Sequence, residues 1–290
     1  MKKLLPFIIA LALLLSACGE FAPEETAAPS AAPEYAFTPE TYPAVAAGEA
    51  AGELARAVTA IMLGTDRAEA AQRVVSGASA GAWEALGSGE CALALAVDTG
   101  NIPAGVETEA VARDALVFYV SESNPIESLS LRDLEDIFDG DETSWAAFGG
   151  AEEDIVVIGR EAGSGSVAAL SALVGCDEAL CTAVNEYQTA AGAIGFGFYY
   201  PCVVQGKADG YKLLAVEGVL PSAETVESGE YPLTAEYLAG VSASAAEGSP
   251  ERTLFDWLCG SVGQAFISSQ GYFAPQAADD AALGGEEAAE

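Results

Sequence analysis

The stretch DIVVIGREAGSGSVAALSALV (154–174) joins a short apolar run to a helical pattern through a turn of glycine and serine. The first part, Asp154–Gly159, is typical of a buried strand. The last part predicts a helix because its apolar residues recur at helical spacing. These residues are Val167, Leu170, Leu173 and Val174. A strand that leads directly into a helix is a building unit of α/β folds.

The same alternation of strands and helices continues along the chain. Further strand-like runs are Glu90–Val97, Ala115–Val120 and Tyr211–Val216. Ser130, with Asp133 three residues later, is a predicted helix N-cap. Ser249 is another, followed by Pro250 at the first helical position. The pattern predicts an α/β fold with mainly parallel sheets.

The turn before the helix has the composition of an anion-binding site. Ser164, Gly165 and Ser166 are predicted at the helix N-terminus, where backbone N–H groups lack intrahelical partners and carry partial positive charge. Glycine lets an oxyanion approach the backbone, the serines add hydroxyl donors, and Arg160 can add a bidentate guanidinium contact. The alternative is a capped helix after a glycine turn, with Arg160 in solvent.

Other site classes find little support in the sequence. The turn lacks the lysine of a Walker loop and the spacing of a nucleophile elbow. The chain contains no histidine, which excludes Ser-His-Asp and Cys-His catalysis and every zinc site with a histidine ligand. We therefore expect no enzyme activity, no metal site and no cofactor.

The N-terminus has the features of an export signal. Residues 1–17 carry two lysines and then an apolar run that is too short to span a membrane. Leu15–Cys18 reads as a lipobox, which predicts that Cys18 is lipidated and becomes the mature N-terminus. The alternative is an ordinary cleaved signal. The lipobox predicts a lipid-anchored protein at the extracytoplasmic face of the cell membrane.

Two biased segments flank the predicted folded part. Residues 18–41 are rich in alanine, proline and glutamate and predict a flexible tether, and residues 276–290 predict an acidic disordered tail. The net charge of −33 repels nucleic acid at long range and excludes it as a partner. The same charge repels small anions, so an anion site must depend on short-range donors.

Five cysteines remain after Cys18, so at least one is unpaired or pairs between molecules. They are Cys91, Cys176, Cys181, Cys202 and Cys259. Cys176 and Cys181 are close enough in sequence to form a disulfide, and burial of the cysteines as small apolar residues is the equal alternative.

Several motifs between residues 42 and 275 occur in the order of one known family. ALVFYVSESNPIESLSLRDLEDIFDGDETSWAAFGG (115–150) follows its order of strand, Asn-Pro, helix, Ile-Phe-x-Gly, Trp and Gly-Gly. REAGSGS (160–166) follows its Arg-x-x-Gly-Ser-Gly-[Ser/Thr] motif, and later landmarks match in order at 192–201, 211–234 and 254–275. From residue 42 to residue 275 the chain thus resembles the substrate-binding proteins of phosphate-specific ABC transporters.

The resemblance implies a two-lobed periplasmic-binding-protein (PBP) type II fold. In this fold each lobe is a mixed, mainly parallel sheet flanked by helices, and the ligand lies in the cleft between the lobes. Lobe I would comprise residues 42–114 and 233–275, and lobe II residues 115–232.

The same resemblance implies the ligand contacts. Arg160, Ser164, Gly165 and Ser166 match the anion-binding residues of lobe II. Ser79 matches a hydroxyl position in lobe I, with a simple N-cap as the alternative. Asp98 is nearest to the family's acceptor of the hydrogen phosphate proton, with a solvated loop aspartate as the alternative.

One segment departs from the family pattern. AVAAGEAAGEL (44–54) lacks the hydroxyl residue that the family places here, and Glu49 stands near its position. A carboxylate within roughly 4 Å of a phosphate oxygen would cost several kcal/mol in a partly dry cleft. Alternatively, Glu49 turns outward in the first helical turn.

The sequence therefore predicts a monomeric lipoprotein that captures inorganic phosphate and delivers it to ABC transporter permease subunits. Two alternatives remain. One is a non-transporting sensor or interaction lipoprotein, and the other is a receptor for a different oxyanion such as tungstate.

Overall fold

The computed structural model of the chain describes residues 37–177, 192–208 and 210–276. The predicted signal peptide, Cys18, most of the tether, Cys181 and the acidic tail from residue 277 lie outside the described residues. Within the described ranges no helix combines the length and the hydropathy that crossing a membrane requires.

Strands and helices alternate through the described residues. The strands are β1 (Val45–Gly48), β2 (Val74–Gly77), β3 (Leu93–Val97), β4 (Val106–Ser121), β5 (Ser128–Leu129), β6 (Val156–Ile158), β7 (Ala193–Phe198), β8 (Tyr211–Leu213), β9 (Ala215–Val216) and β10 (Thr234–Ser242). The helices are α1 (Gly52–Leu63), α2 (Arg67–Ala71), α3 (Ser79–Ser88), α4 (Leu131–Phe138), α5 (Gly165–Val174), α6 (Ala223–Glu227), α7 (Pro250–Cys259) and α8 (Ser261–Ser269).

The main sheet is mixed and has the order β2-β1-β3-β10-β4-β7-β6, with β8 paired to β4. β1 is parallel to both β2 and β3, and β6 is parallel to β7. β10 is antiparallel to both β3 and β4, and β4 is antiparallel to β7 and β8. The predicted α/β class is confirmed.

The long strand β4 is shared by the two halves of the sheet. Its first part, up to Ala115, pairs with β10, and its second part, from Leu116, pairs with β7. The partner changes where the sequence analysis placed the boundary between the two lobes. The lobe boundaries themselves stay a prediction.

Several local predictions are confirmed. Ser130 and Asp133 form a capping box at the start of α4. The Ser249 side chain caps α7, with Pro250 as its first residue. The Ser164 side chain caps α5. These signals succeed because each cap depends on residues within three or four positions of one another.

The predicted strands Glu90–Val97 and Asp154–Gly159 are shortened to Leu93–Val97 and Val156–Ile158, and the other two predicted strands differ more. β4 starts at Val106, well before the predicted start at Ala115. The apolar-run pattern did not reveal this first part, because exposed polar residues alternate there with less exposed ones. The predicted strand Tyr211–Val216 is split into β8 and β9. The chain changes partner there: the Leu214 N–H donates to the Phe118 carbonyl, and the Ala215 N–H donates to the Glu127 carbonyl.

Three chain segments meet closely around Ser79, the first residue of α3. A Cβ atom added at Gly48, the end of β1, would lie 2.4 Å from the Ser79 Oγ. A Cβ atom added at Gly165, the first residue of α5, would lie 2.8 Å from the same Oγ. The Ala80 N–H also donates to the carbonyl of Gly163, at 3.1 Å. Both Gly48 and Gly165 therefore need to be glycine for this approach.

Asp114 lies in β4 beside the change of partner and is 1% exposed. Its carboxylate accepts hydrogen bonds from the Tyr237 hydroxyl (2.9 Å), the Ala115 N–H (2.8 Å) and the Tyr200 N–H (3.2 Å). Burial raises the pKa of the Asp114 carboxyl to about 7, although these hydrogen bonds favour the charged form. Asp114 thus joins β4, β10 and the turn after β7 through one buried group.

We predict that replacing Gly48 with Ala lowers the free energy of unfolding by about 1–3 kcal/mol, because the new methyl group overlaps the Ser79 hydroxyl. Ser79→Ala removes that oxygen, so the double variant should be less destabilised than the sum of the single variants. Gly77→Ala is the matched control, since Gly77 pairs with Gly48 in the sheet and open space surrounds its added Cβ. Denaturant unfolding measures all four, and additive effects would contradict the contact.

We also predict that Asp114 makes the protein less stable as pH rises. Its folded-state pKa of about 7 is above the unfolded value of about 3.9, so its contribution is complete below pH 4 and is lost as pH rises through 7. The loss amounts to about 4 kcal/mol. Denaturant unfolding from pH 4 to pH 8 should show a flatter profile for Asp114→Asn than for the parent. Glu236→Gln is the comparison variant: burial raises the pKa of Glu236 as well, so this variant measures how much of the pH dependence comes from Glu236 instead of Asp114. Parallel profiles for the parent and Asp114→Asn would show that Asp114 stays ionised.

Candidate functional site

The N-terminus of α5 has the local geometry that the sequence predicted. Gly163 adopts a left-handed backbone conformation (φ 73°), which closes the turn in which the Ser164 N–H donates to the Glu161 carbonyl. Ser164 is extended, and its Oγ accepts from the Val167 N–H at 3.4 Å. Its Oγ also lies 3.4 Å from the Ser166 Oγ. Both serines are largely buried at the start of the helix.

A small cavity of about 20 Å³ lies against this helix end, and we call it the α5 cavity. It is lined by Glu49, Ala50, Arg160, Ser164, Gly165, Ser166, Phe198, Pro201 and Lys207. The structure therefore brings four of the predicted site residues, Arg160 and Ser164 to Ser166, to one place. In this conformation the size of the cavity excludes a large solute.

The lining of the α5 cavity favours an anion. Arg160 offers a guanidinium group, and the α5 N-terminus offers N–H groups with partial positive charge. Both surfaces can bind an oxyanion at short range, where the overall negative charge of the chain matters least. Glu161, in contrast, is exposed and is not part of the lining.

Ser79 lies next to the α5 cavity without lining it. It is 1% exposed and is the first residue of α3. Ala78 is the N-cap, and no side chain caps the helix, so the alternative that Ser79 is a simple N-cap is wrong. Its Oγ is directed towards Gly48 and Gly165. Its predicted ligand contact stays a prediction.

Asp98 is not brought to the α5 cavity. It follows β3 and is exposed, and its Oδ1 accepts a hydrogen bond from the Gly100 N–H at 2.7 Å. This local turn is the geometry of the solvated loop aspartate that the sequence analysis left as the alternative. The predicted role as acceptor of a ligand proton has no support from this placement.

Glu49 borders the α5 cavity, with part of its side chain in solvent. It is the first residue of a 3₁₀ turn, Glu49–Ala51, that links β1 to α1. Gly48 precedes it in the close contact with Ser79. The segment that departs from the family pattern thus borders the cavity, and Glu49 lines it together with Arg160 while remaining exposed to solvent.

Lys207 is a lining residue that sequence reasoning missed. It follows a π-helical turn, Tyr200–Val204, and its N–H donates to the Pro201 carbonyl at 3.2 Å. Burial raises the pKa of the Cys202 thiol to about 12, and the charges of Arg160 and Lys207 oppose that rise. No motif marks Lys207, because forty-six residues separate it from Arg160 and only the fold brings the two together.

The described residues hold no cluster of cysteine and acidic side chains that could bind a metal ion. Cys91, Cys202 and Cys259 carry free thiols, and burial raises the pKa of each. The Cys176 thiol lies 3.8 Å from the Leu170 carbonyl. The proposed bridge from Cys176 to Cys181 falls partly outside the described residues.

Several solved structures share this fold. A phosphate ABC transporter substrate-binding protein from Clostridium perfringens, solved with bound phosphate, has a TM-score of 0.65 and 19% identity, over 80% of this chain and 98% of its own. An ABC-type phosphate transport receptor from Vibrio cholerae has a TM-score of 0.61 and 21% identity, and the match covers 80% of this chain and 99% of the receptor. A phosphate-binding protein from Stenotrophomonas maltophilia has a TM-score of 0.54 and 13% identity, and the match covers 83% of this chain and 92% of that protein.

These similarities agree with the two-lobed PBP type II fold that the sequence predicted, and they confirm it. No curated protein shows significant sequence similarity to the chain. A family model described as PBP superfamily domain matches residues 43–245, which is more than half of the chain. This match, together with the mixed α/β sheet and the similar solved structures, shows that the chain belongs to the PBP superfamily.

Proposed function

We propose that this protein is an extracytoplasmic solute-binding lipoprotein that captures inorganic phosphate and delivers it to the permease of an ABC transporter. The observation that carries the proposal is the α5 cavity, where Arg160 and the α5 N-terminus line the same small space. These groups are hydrogen-bond donors of positive or partly positive charge, which are the partners that an oxyanion requires. The structure from Clostridium perfringens is described as a phosphate ABC transporter substrate-binding protein with bound phosphate, and the one from Vibrio cholerae as an ABC-type phosphate transport receptor.

The proposed contacts each have a physical role. The guanidinium of Arg160 would form charge-assisted hydrogen bonds to two ligand oxygens. The N–H groups of Gly165 and Ser166 lie in the first turn of α5 and would donate to a third oxygen. The hydroxyls of Ser164 and Ser166 would complete the contacts on this side. Nothing is turned over in this role, so affinity depends on fixed donors in a dry cleft.

Delivery and location form the second part of the proposal. Lipidation of Cys18 would hold the domain at the extracytoplasmic face of the membrane, and residues 18–41 would let it reach the permease. Permease subunits are the proposed macromolecular partners, and a monomer is sufficient for the proposed role.

A second candidate function has one observation in its favour. Glu49 borders the α5 cavity, and a carboxylate directed into that space would repel an unprotonated anion. A lipoprotein that senses a ligand or a partner without transporting phosphate would tolerate this residue. A receptor for another oxyanion such as tungstate is the third alternative.

We predict that calorimetric titration of the ligand-free protein shows phosphate binding that Arg160→Ala weakens by a factor of about 10 to 100, because the variant removes a charged hydrogen-bond donor from the cavity. Arg132→Ala is the matched control, since Arg132 is an exposed arginine of α4 that pairs with Asp136 and lies outside the cavity. The control should bind phosphate like the parent.

Two results would contradict the proposed function. If neither phosphate nor sulfate binds to the parent protein, the site does not serve phosphate capture, and the sensor function gains support. If phosphate binds equally to the parent and to Arg160→Ala, the ligand binds elsewhere on the protein.

A further inference from the structure

We propose that Glu49 and Lys207, which border the α5 cavity with Arg160, together determine which oxyanion the site accepts. Lys207 supplies a positive charge that attracts the anion and that residues 44–54 do not provide. Glu49 favours an anion that carries a proton over one that does not. This inference rests on the proposed function of the cavity as an anion site. It assigns specificity to two residues, one of which no sequence motif identified.

Three charged side chains border the cavity. Arg160 and Lys207 each contribute a positive charge, and Glu49 contributes a negative one. Without Lys207 the formal charges of the lining side chains would sum to zero, because the negative charge of Glu49 offsets the positive charge of Arg160. With Lys207 the lining has a net positive charge inside a chain whose net charge is −33.

Glu49 gives the site its chemical selectivity. An ionised carboxylate has only acceptors, so it makes a favourable contact with a ligand oxygen only when that oxygen carries a hydrogen. Hydrogen phosphate has such an O–H group near neutral pH, whereas sulfate has none. A sulfate oxygen would face the carboxylate as an unpaired like charge, which disfavours its binding.

The backbone holds both residues beside the cavity. Glu49 begins the 3₁₀ turn directly after Gly48, whose position is fixed by the contact with Ser79. Lys207 is held by the hydrogen bond from its N–H to the Pro201 carbonyl, and the next residue donates to the Cys202 carbonyl at 3.0 Å. Asp98, the acceptor that the sequence suggested, lies outside the lining in a turn of its own.

The test compares four single variants with the parent by calorimetric titration with inorganic phosphate and with sulfate at the same pH and ionic strength. Glu49→Gln removes the negative charge and keeps the size of the side chain, and Lys207→Gln removes the positive charge. Asp98→Asn and Lys212→Gln are the matched controls. Lys212 pairs with Glu127, and neither control residue lines the cavity.

We expect Lys207→Gln to weaken phosphate binding about tenfold, as for the loss of one charged contact. We expect Glu49→Gln to bind sulfate at least tenfold more tightly than the parent does, so that the preference for phosphate falls. Both control variants should match the parent with both anions.

Three outcomes would overturn the inference, and they differ from failure of the proposed function. Unchanged selectivity in Glu49→Gln, in a parent that binds phosphate, would remove Glu49 from the role. Phosphate binding that appears only after Glu49→Gln would mean that Glu49 closes the site instead of selecting its ligand. Loss of selectivity in Asp98→Asn would return the role to Asp98. If neither the parent nor any variant binds phosphate or sulfate, the proposed function fails, and the inference fails with it.

Discussion

The close approach of three chain segments around the Ser79 hydroxyl is the constraint on which the site depends. Only glycine lets the end of β1 and the start of α5 come this near to the same oxygen, because a Cβ at Gly48 or Gly165 would lie under 3 Å from it. That approach holds the first turn of α5 opposite the 3₁₀ turn that carries Glu49. The α5 cavity is the space that remains between them.

The buried carboxylate of Asp114 links this site to the rest of the sheet. It accepts hydrogen bonds from the Tyr237 hydroxyl in β10 and from the Tyr200 N–H in the turn after β7. The same turn continues to Pro201 and Lys207 on the cavity wall. The strand that changes partner between the two halves of the sheet thus also positions one side of the cavity.

The proposed function requires an acidic protein to bind an anion. At distances beyond a Debye length of about 8 Å, salt screens the exposed charges of the surface. Inside the cavity, Arg160 and the helix end act over the length of a hydrogen bond, where screening is weak. In the proposed function, the local balance among Arg160, Lys207 and Glu49 would therefore matter more for binding than the net charge of the chain.

The sequence by itself determined the features that depend on neighbouring residues. The capping box at Ser130, the cap at Ser249 and the start of α5 after Ser164 follow from side chains that bond within one helical turn. The alternation of apolar runs with helical patterns gave the α/β class, and the Arg160–Ser166 motif identified one wall of the site.

Only the tertiary structure decided the features that depend on distant contacts. It extended β4 back to Val106, because pairing with β10 supports a polar strand that hydropathy does not reveal. It left Asp98 in its own turn and placed Glu49 and Lys207 on the cavity wall. Residues so far apart in sequence meet through sheet pairing and close packing, and no local propensity encodes such a meeting.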